Sequence, residues 1–256
     1  MMKKKVIMGL ILALTLGPAI YFGSYVFFAV VLVFMFLGSF EIQAVFKEQW
    51  PKWIAWLTFV DIMALYLVPS NYLMLLLIVN LLIVFVFTIF FDWFHIEDGA
   101  LWFLLLMIVG LGIHGLSFII QYDTLVILYV ALATYMTDSF AYLLGMRFGK
   151  HKLAPRISPN KSIEGAVGGY LFGSVASFIY GFLLLKQYFD VRVLIIGALL
   201  MPIVGQIGDL AFSAIKRFKQ IKDFGELFPE HGGILDRIDS LLFNLMFFYA
   251  IIVLFN

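Results

Sequence analysis

"LMLLLIVNLLIVFVFTIFF", residues 73–91, runs through nineteen positions without one charged side chain. At about 1.5 Å per residue, a helix of this length reaches nearly across the ~30 Å hydrocarbon core of a bilayer. A helix also pairs its own backbone N–H and C=O groups, which lipid cannot do for it. Residues 191–204 form a second long run almost free of charge. The chain as a whole is 256 residues, 64% hydrophobic and 13% charged, with mean hydropathy +1.05. Soluble domains carry about a quarter charged residues, so this composition belongs in a membrane. Segments of about ten residues alternating polar and apolar are absent, which argues against a β-barrel. The fold class read here is all-α, a polytopic helical membrane protein.

Punctuation at glycine, proline and polar clusters divides the chain into nine spans. They are 6–21, 24–44, 53–68, 71–91, 100–120, 123–145, 164–185, 190–215 and 238–255. The opening "MMKKKVIMGLILALTLGPAI" has the basic-then-apolar order of a secretory signal, but no A-x-A site follows, so it reads as a retained first helix. With the N-terminus cytoplasmic, 15 of the 17 basic residues fall inside, Lys186 and Arg192 being the exceptions. That asymmetry is the positive-inside bias of membrane proteins. The two long polar segments, 146–163 and 216–237, then share the cytoplasmic face, where nucleotides and phosphate metabolites are found. Residues 1–120 read as a transmembrane scaffold, and 121–256 as the region that carries both polar segments. Zero cysteines removes disulfides, thiolate metal sites and cysteine nucleophiles together.

The polar residues concentrate late. Asp209, Ser213, Lys216 and Arg217 stand at i, i+4, i+7 and i+8, one face of a helix that begins inside the membrane. An acid at such depth is a functional candidate by default. Asp236 and Asp239 add two carboxylates at the start of the final span. Three carboxylates without a thiolate or a histidine pair suit a hard, oxygen-liganded cation, Mg²⁺ rather than Zn²⁺. The neighbouring lysines and arginines would neutralise phosphate charge, and His231-Gly232-Gly233 supplies a turn whose N–H groups can approach an anion. Plainer readings compete. Basic residues at a helix end anchor lipid headgroups, Asp236-Arg237 can be a helix-start ion pair, and 146–163 can be a solvated tether. His114, in "GLGIHGLSF", reads as a helix-packing hydrogen bonder, and Asp61 has no assigned role. From these residues alone the reading stops at metal-assisted phosphate chemistry on the cytoplasmic side.

Two longer patterns go further. "SAIKRFKQIKDFGELFPEHGGILDRIDS", 213–240, resembles the signature of the phosphatidate cytidylyltransferase (CDP-diacylglycerol synthase) family. The positions that match are Ser213, Lys216, Arg217, Lys222, Asp223, Gly225, Pro229, His231, Gly232, Gly233, Asp236, Arg237 and Asp239; Glu230 departs from the glycine common there. "DSFAYLLGMRFGKHKLAPRISPNKSIEGAVGG", 138–169, is similar to the family's other polar block through Asp138, Tyr142, Gly145, Arg147, Gly149, Lys150, Ser158, Pro159, Lys161, Ser162, Glu164 and Gly165.

The resemblance implies that CTP and phosphatidate give CDP-diacylglycerol and pyrophosphate, a nucleotidyl transfer for phospholipid biosynthesis in the bacterial inner membrane. It implies Asp209 and Asp236 as Mg²⁺ ligands, with Asp239 as a ligand or an acceptor behind one, and a second cation, K⁺, nearby. Lys222, Asp223 and His231 join the catalytic set. Lys216, Arg217 and Arg237 would hold triphosphate or lipid phosphate, with Ser213 contributing its hydroxyl and Gly232 and Gly233 their backbone. The loop 158–164 would close over the nucleotide with Lys161 on phosphate, and Ser158, Ser162, Glu164, Tyr142, Arg147 and Lys150 complete the substrate-binding set. The family also implies a homodimer, with contacts through 1–120, and makes 121–256 the catalytic region. Two rivals stay open: a CTP-dependent polyprenol or phytol kinase, which moves the γ-phosphoryl group instead, and an ion-coupled transporter.

Overall fold

A computed structural model describes residues 24–46, 49–227 and 232–255 of the chain. Eight α-helices are found among them: α1 Ser24–Ala44, α2 Trp53–Leu67, α3 Leu73–Phe90, α4 Ile96–Ile119, α5 Thr124–Phe148, α6 Ile163–Leu184, α7 Val191–Phe218 and α8 Leu235–Phe255. Seven of the described helices are long and apolar enough to cross a membrane, and α2 is a shorter apolar helix of 15 residues. These correspond to eight of the nine expected spans. The first, 6–21, lies outside the described residues, as do Lys3, Lys4, Lys5 and Lys47.

Boundaries fall close to the punctuation, with two differences that matter. Helix α7 continues to Phe218, so Lys216 and Arg217 occupy its last turn, where cations complement the helix dipole. Helix α8 starts at Leu235 rather than 238, which puts Asp236 inside its first turn. The polar segment between α5 and α6 is also more ordered than a loop. It forms an antiparallel hairpin of β1 (Lys152–Ala154) and β2 (Ser158–Ser162), with Lys152 opposite Ser162.

Helices α5 and α6 pack through small residues of α6. Gly165, Gly169, Gly173, Ser177 and Gly181 recur at every fourth position, along one face. A Cβ at Gly169 would stand 2.5 Å from the Thr137 carbonyl oxygen, so only glycine lets the two backbones approach this closely. Side-chain hydrogen bonds lock the rest of the C-terminal bundle. Tyr129 O–H donates to Leu194 O at 2.7 Å, joining α5 to α7. Asn244 Nδ2 donates to Thr134 Oγ1 at 2.8 Å, joining α8 to α5. Gln206 Nε2 reaches Ala166 O at 3.3 Å, joining α7 to α6. By contrast α3 leaves Leu75, Ile78, Leu82 and Phe85 exposed, an apolar surface suited to lipid.

One end of the bundle gathers the polar segments. Trp50 stacks on Phe46 at 4.0 Å and on Phe94 at 4.6 Å, bringing the α1–α2 and α3–α4 connections together. Lys219, just after α7, pairs with Asp98 in the first turn of α4. Arg217 Nε donates to Ile157 O in the hairpin at 3.3 Å. At the opposite end Tyr188 O–H donates to Asp123 Oδ2 at 2.6 Å. The first end is therefore where the two motif segments meet.

Candidate active site

The described residues of the α7–α8 connection are fixed by hydrogen bonds at both ends. Helix α7 ends in a Schellman arrangement: Ile221 N–H donates to Lys216 O at 2.9 Å and Gln220 N–H to Arg217 O at 3.2 Å. Gln220 takes φ 55°, the left-handed conformation that glycine fills more cheaply. Farther on, Asp236 organises the turn. Its Oδ1 accepts from Lys216 Nζ at 2.6 Å, and its Oδ2 from Phe224 N–H at 2.8 Å and Gly233 N–H at 3.0 Å. Its side chain is only 4% exposed. Gly232 has φ 78°, and a Cβ there would lie 2.7 Å from Asp236 Oδ2. Glycine is required at that position on both counts. Lys222 and Asp223 are exposed on the same turn. His231, with Pro229 and Glu230, lies outside the described residues.

A second group of acids converges from three helices. Asp138 of α5 is within electrostatic reach of Asp209 of α7 and of Lys161. Asp239 of α8 is within reach of Asp209, Asp138 and Lys216. Lys161, on β2, makes an ion pair with Asp209. Asp239 Oδ1 also accepts from Ser240 N–H at 2.7 Å. Tyr135, nearly one turn before Asp138 on α5, is within electrostatic reach of Asp138 and Asp239. The sequence reading paired Asp209 with Asp236 on one cation. Asp138 and Asp239 lie within electrostatic reach of Asp209, and Asp236 is hydrogen-bonded to Lys216, Phe224 and Gly233.

The donor set bears on the expected metal. Asp138, Asp209 and Asp239 offer carboxylate oxygens only, the preference of Mg²⁺ rather than of a soft metal. Among the described residues no three acidic, histidine or cysteine side chains close into a metal cage. Mg²⁺ does not need one, since it usually keeps several waters and binds through one or two carboxylates plus substrate phosphates. The open trio fits that pattern, with Lys161 as the cation that stands against Asp209 here.

The hairpin is held at its root. Ser162 caps α6 by accepting from Gly165 N–H at 3.2 Å. Glu164 accepts from Lys150 N–H at 3.0 Å and contacts His151 Nδ1 at 2.6 Å. Ser162 and Glu164, expected to bind substrate, thus have positions explained by shaping the hairpin. Arg147 and Lys150 are exposed beside it, while Ser158, Tyr142, Ser213 and Arg237 are half-buried. Away from this end, His114 contacts Leu65 O at 2.8 Å and Ser70 Oγ at 3.2 Å, the packing role its sequence context suggested.

Two acids escaped the site residues named from sequence. Asp138 stands in the motif but was not counted as a ligand. Glu41, in the last turn of α1, went unmentioned, although a lone acid in an apolar helix is itself a signal. Its contacts are taken up below.

Comparison with known proteins accords with the geometry. Residues 3–255 match the family model of the Cytidylyltransferase family. A phosphatidate cytidylyltransferase of Bacillus subtilis (strain 168) is 42% identical over 136 residues, which is 53% of this chain and 50% of that protein. One from Staphylococcus haemolyticus (strain JCSC1435) is 43% identical over 119 residues, 46% of this chain and 45% of its own. One from Staphylococcus aureus (strain COL) is 41% identical over 157 residues, 59% of this chain and 58% of its own. The chain spans about half the length of the curated relatives it matches.

Proposed function

The chain belongs to the cytidylyltransferase family, and from that premise we propose that it transfers the cytidylyl group of CTP to phosphatidate, giving CDP-diacylglycerol and pyrophosphate. The observation that carries this reading is the meeting of Asp138, Asp209 and Asp239 with Lys161 and Lys216 at one end of a membrane-spanning bundle. Both substrates are anionic, and one cannot leave the bilayer. A site made from helix ends meets both demands: acyl chains stay beside apolar helices while the headgroup reaches the aqueous face.

In the reaction a phosphate oxygen of phosphatidate forms a bond to the α-phosphorus of CTP. The bond from that phosphorus to the bridging oxygen of the β-phosphate breaks, and pyrophosphate leaves with its electron pair. No covalent protein intermediate is needed, so catalysis rests on positioning and charge neutralisation. Asp209 and Asp239, together with Asp138, would hold Mg²⁺, with K⁺ as a second cation. The metal would supply charge stabilisation on the phosphoryl oxygens as they approach and part. Lys161 sits on the hairpin beside Asp209, positioned to pass from that carboxylate to a nucleotide phosphate. Lys216 is held by Asp236 at the rim of the acids, and Arg217, Lys222 and Arg237 add positive charge around it. Asp236 serves this chemistry chiefly by shaping the turn. The site faces the cytoplasm of a bacterial inner membrane, and the working assembly is a homodimer.

The test is transfer by the purified protein in detergent with phosphatidate, Mg²⁺ and CTP labelled at either the α- or the γ-phosphorus. Label from the α-position entering the lipid fraction is the expected result. Label from the γ-position alone would make the protein a lipid kinase, and label from neither would overturn the reading.

A further inference from the structure

Glu41 is 8% exposed. Its Oε1 accepts from Ile234 N–H at 2.7 Å and its Oε2 from Leu235 N–H at 2.9 Å. Both donors stand at the start of α8, where the first N–H groups of a helix have no acceptor within it. A capping oxygen usually comes from the residue just before the helix. This one comes from 193 positions away in the chain. A buried carboxylate is costly unless donors answer it, and here two backbone donors and the positive end of the α8 dipole do so.

The surrounding chain is pressed onto this carboxylate. A Cβ at Gly225 would lie 2.8 Å from Glu41 Oε1, and a Cβ at Gly233 would collide with the Glu41 carboxylate. Asp236 is an electrostatic neighbour of Glu41. The motif glycines therefore do more than permit a turn: they make room for an acid supplied by α1.

We propose that Glu41 is a positioning residue for the reaction. It clamps Gly225, Gly233 and the first turn of α8, so that Asp236 meets Lys216 and Asp239 stays within reach of Asp209. The proposal rests on the cytidylyl-transfer reading above and gives the N-terminal helices a part in the chemistry. Releasing the clamp lets α8 shift against α7, and a displacement of about 1 Å near reacting groups costs on the order of 100-fold in rate.

The test uses full-length protein carrying E41Q or E41A. E41Q keeps side-chain size and one acceptor oxygen; E41A removes both. Expected are falls in kcat of about 10-fold for E41Q and about 100-fold for E41A, with KM for CTP within about threefold of wild type. Amide hydrogen exchange at 232–236 should quicken in both, while exchange around Asp123 and Tyr188 stays unchanged. Wild-type kcat in E41A overturns the proposal. So does a loss of activity that only tracks the fraction of unfolded protein, with kcat per folded molecule intact. If E41A does not insert, E41Q decides the matter by the same readings. If wild-type protein moves no α-label into lipid, the cytidylyl-transfer reading fails separately. Exchange at 232–236 then still judges the clamp, and unchanged protection in E41Q overturns it.

Discussion

The described residues between α7 and α8 are pinned by buried carboxylates, whereas the hairpin between α5 and α6 lies on the surface and pairs with Asp209 through Lys161. Between α7 and α8, Asp236 of α8 and Glu41 of α1 are carboxylates whose oxygens are taken by backbone N–H groups and by Lys216. In the hairpin, the side chains are largely exposed and the link to the acids is the Lys161–Asp209 pair. Asp236 shapes the backbone, and on the proposed reading Asp209 and Asp239 present oxygen to a ligand. Sequence proximity does not separate them, since Asp236 and Asp239 sit three positions apart, the one hydrogen-bonded to Lys216 and the other to Ser240 N–H.

Substitutions that split these occupations give the largest effects. Asp239→Asn should cut turnover on the order of 1000-fold, the scale for losing a preorganised electrostatic group. Its thermal midpoint should stay near that of wild type. Asp236→Ala should lose activity and, in addition, about 3 kcal/mol of stability, because Lys216 is left buried without its partner. Detergent-phase melting alongside the labelled-CTP assay distinguishes the two, and an equal loss of stability in both variants would erase the comparison.

Lys161→Ala tests the hairpin. Transfer should fall about 100-fold, mainly through a higher KM for CTP, while stability changes by less than about 1 kcal/mol because the pair is partly solvated. A large drop in melting temperature would make the hairpin a structural staple instead. A smaller effect is expected at the end of α7. Gln220→Gly relieves the left-handed strain and should add about 1 kcal/mol of stability with turnover unchanged.

The far end supplies a control by pH. Asp123 is held below the usual aspartate range, first by the Leu125 N–H and then by the Tyr188 hydroxyl. A carboxyl lowered on folding contributes stability that is complete above the unfolded value of about 3.9. That contribution is lost as pH falls through the lower folded value. Melting of wild type and Asp123→Asn should therefore differ at neutral pH and converge in the acid range, with no change in the CTP dependence of transfer.

Most of the helical framework was legible in the residues. Long apolar runs and the Gly, Pro and polar breaks between them located α1 to α8 closely, since only backbone pairing and lipid exposure were at stake. The hairpin was not legible, because its first strand is a three-residue KLA with two exposed positions and no alternation to mark it. The motif acids were visible in the sequence, but their hydrogen-bond partners were not. That Asp236 bonds Lys216 while Asp239 bonds Ser240 N–H depends on where α8 begins and how it rotates against α7. Asp138 joins Asp209 only because α5 and α7 are brought together in space. Glu41 was least legible, as its partners lie at the other end of the chain.

The most direct test of the division between shaping and ligating acids is Mn²⁺ binding by electron paramagnetic resonance, with Mn²⁺ standing in for Mg²⁺, on purified wild type, Asp239→Asn and Asp236→Asn. Binding should fall at least 10-fold in Asp239→Asn and persist in folded Asp236→Asn, given one or two protein carboxylates per hard cation. Loss of binding in Asp236→Asn with full retention in Asp239→Asn would contradict it.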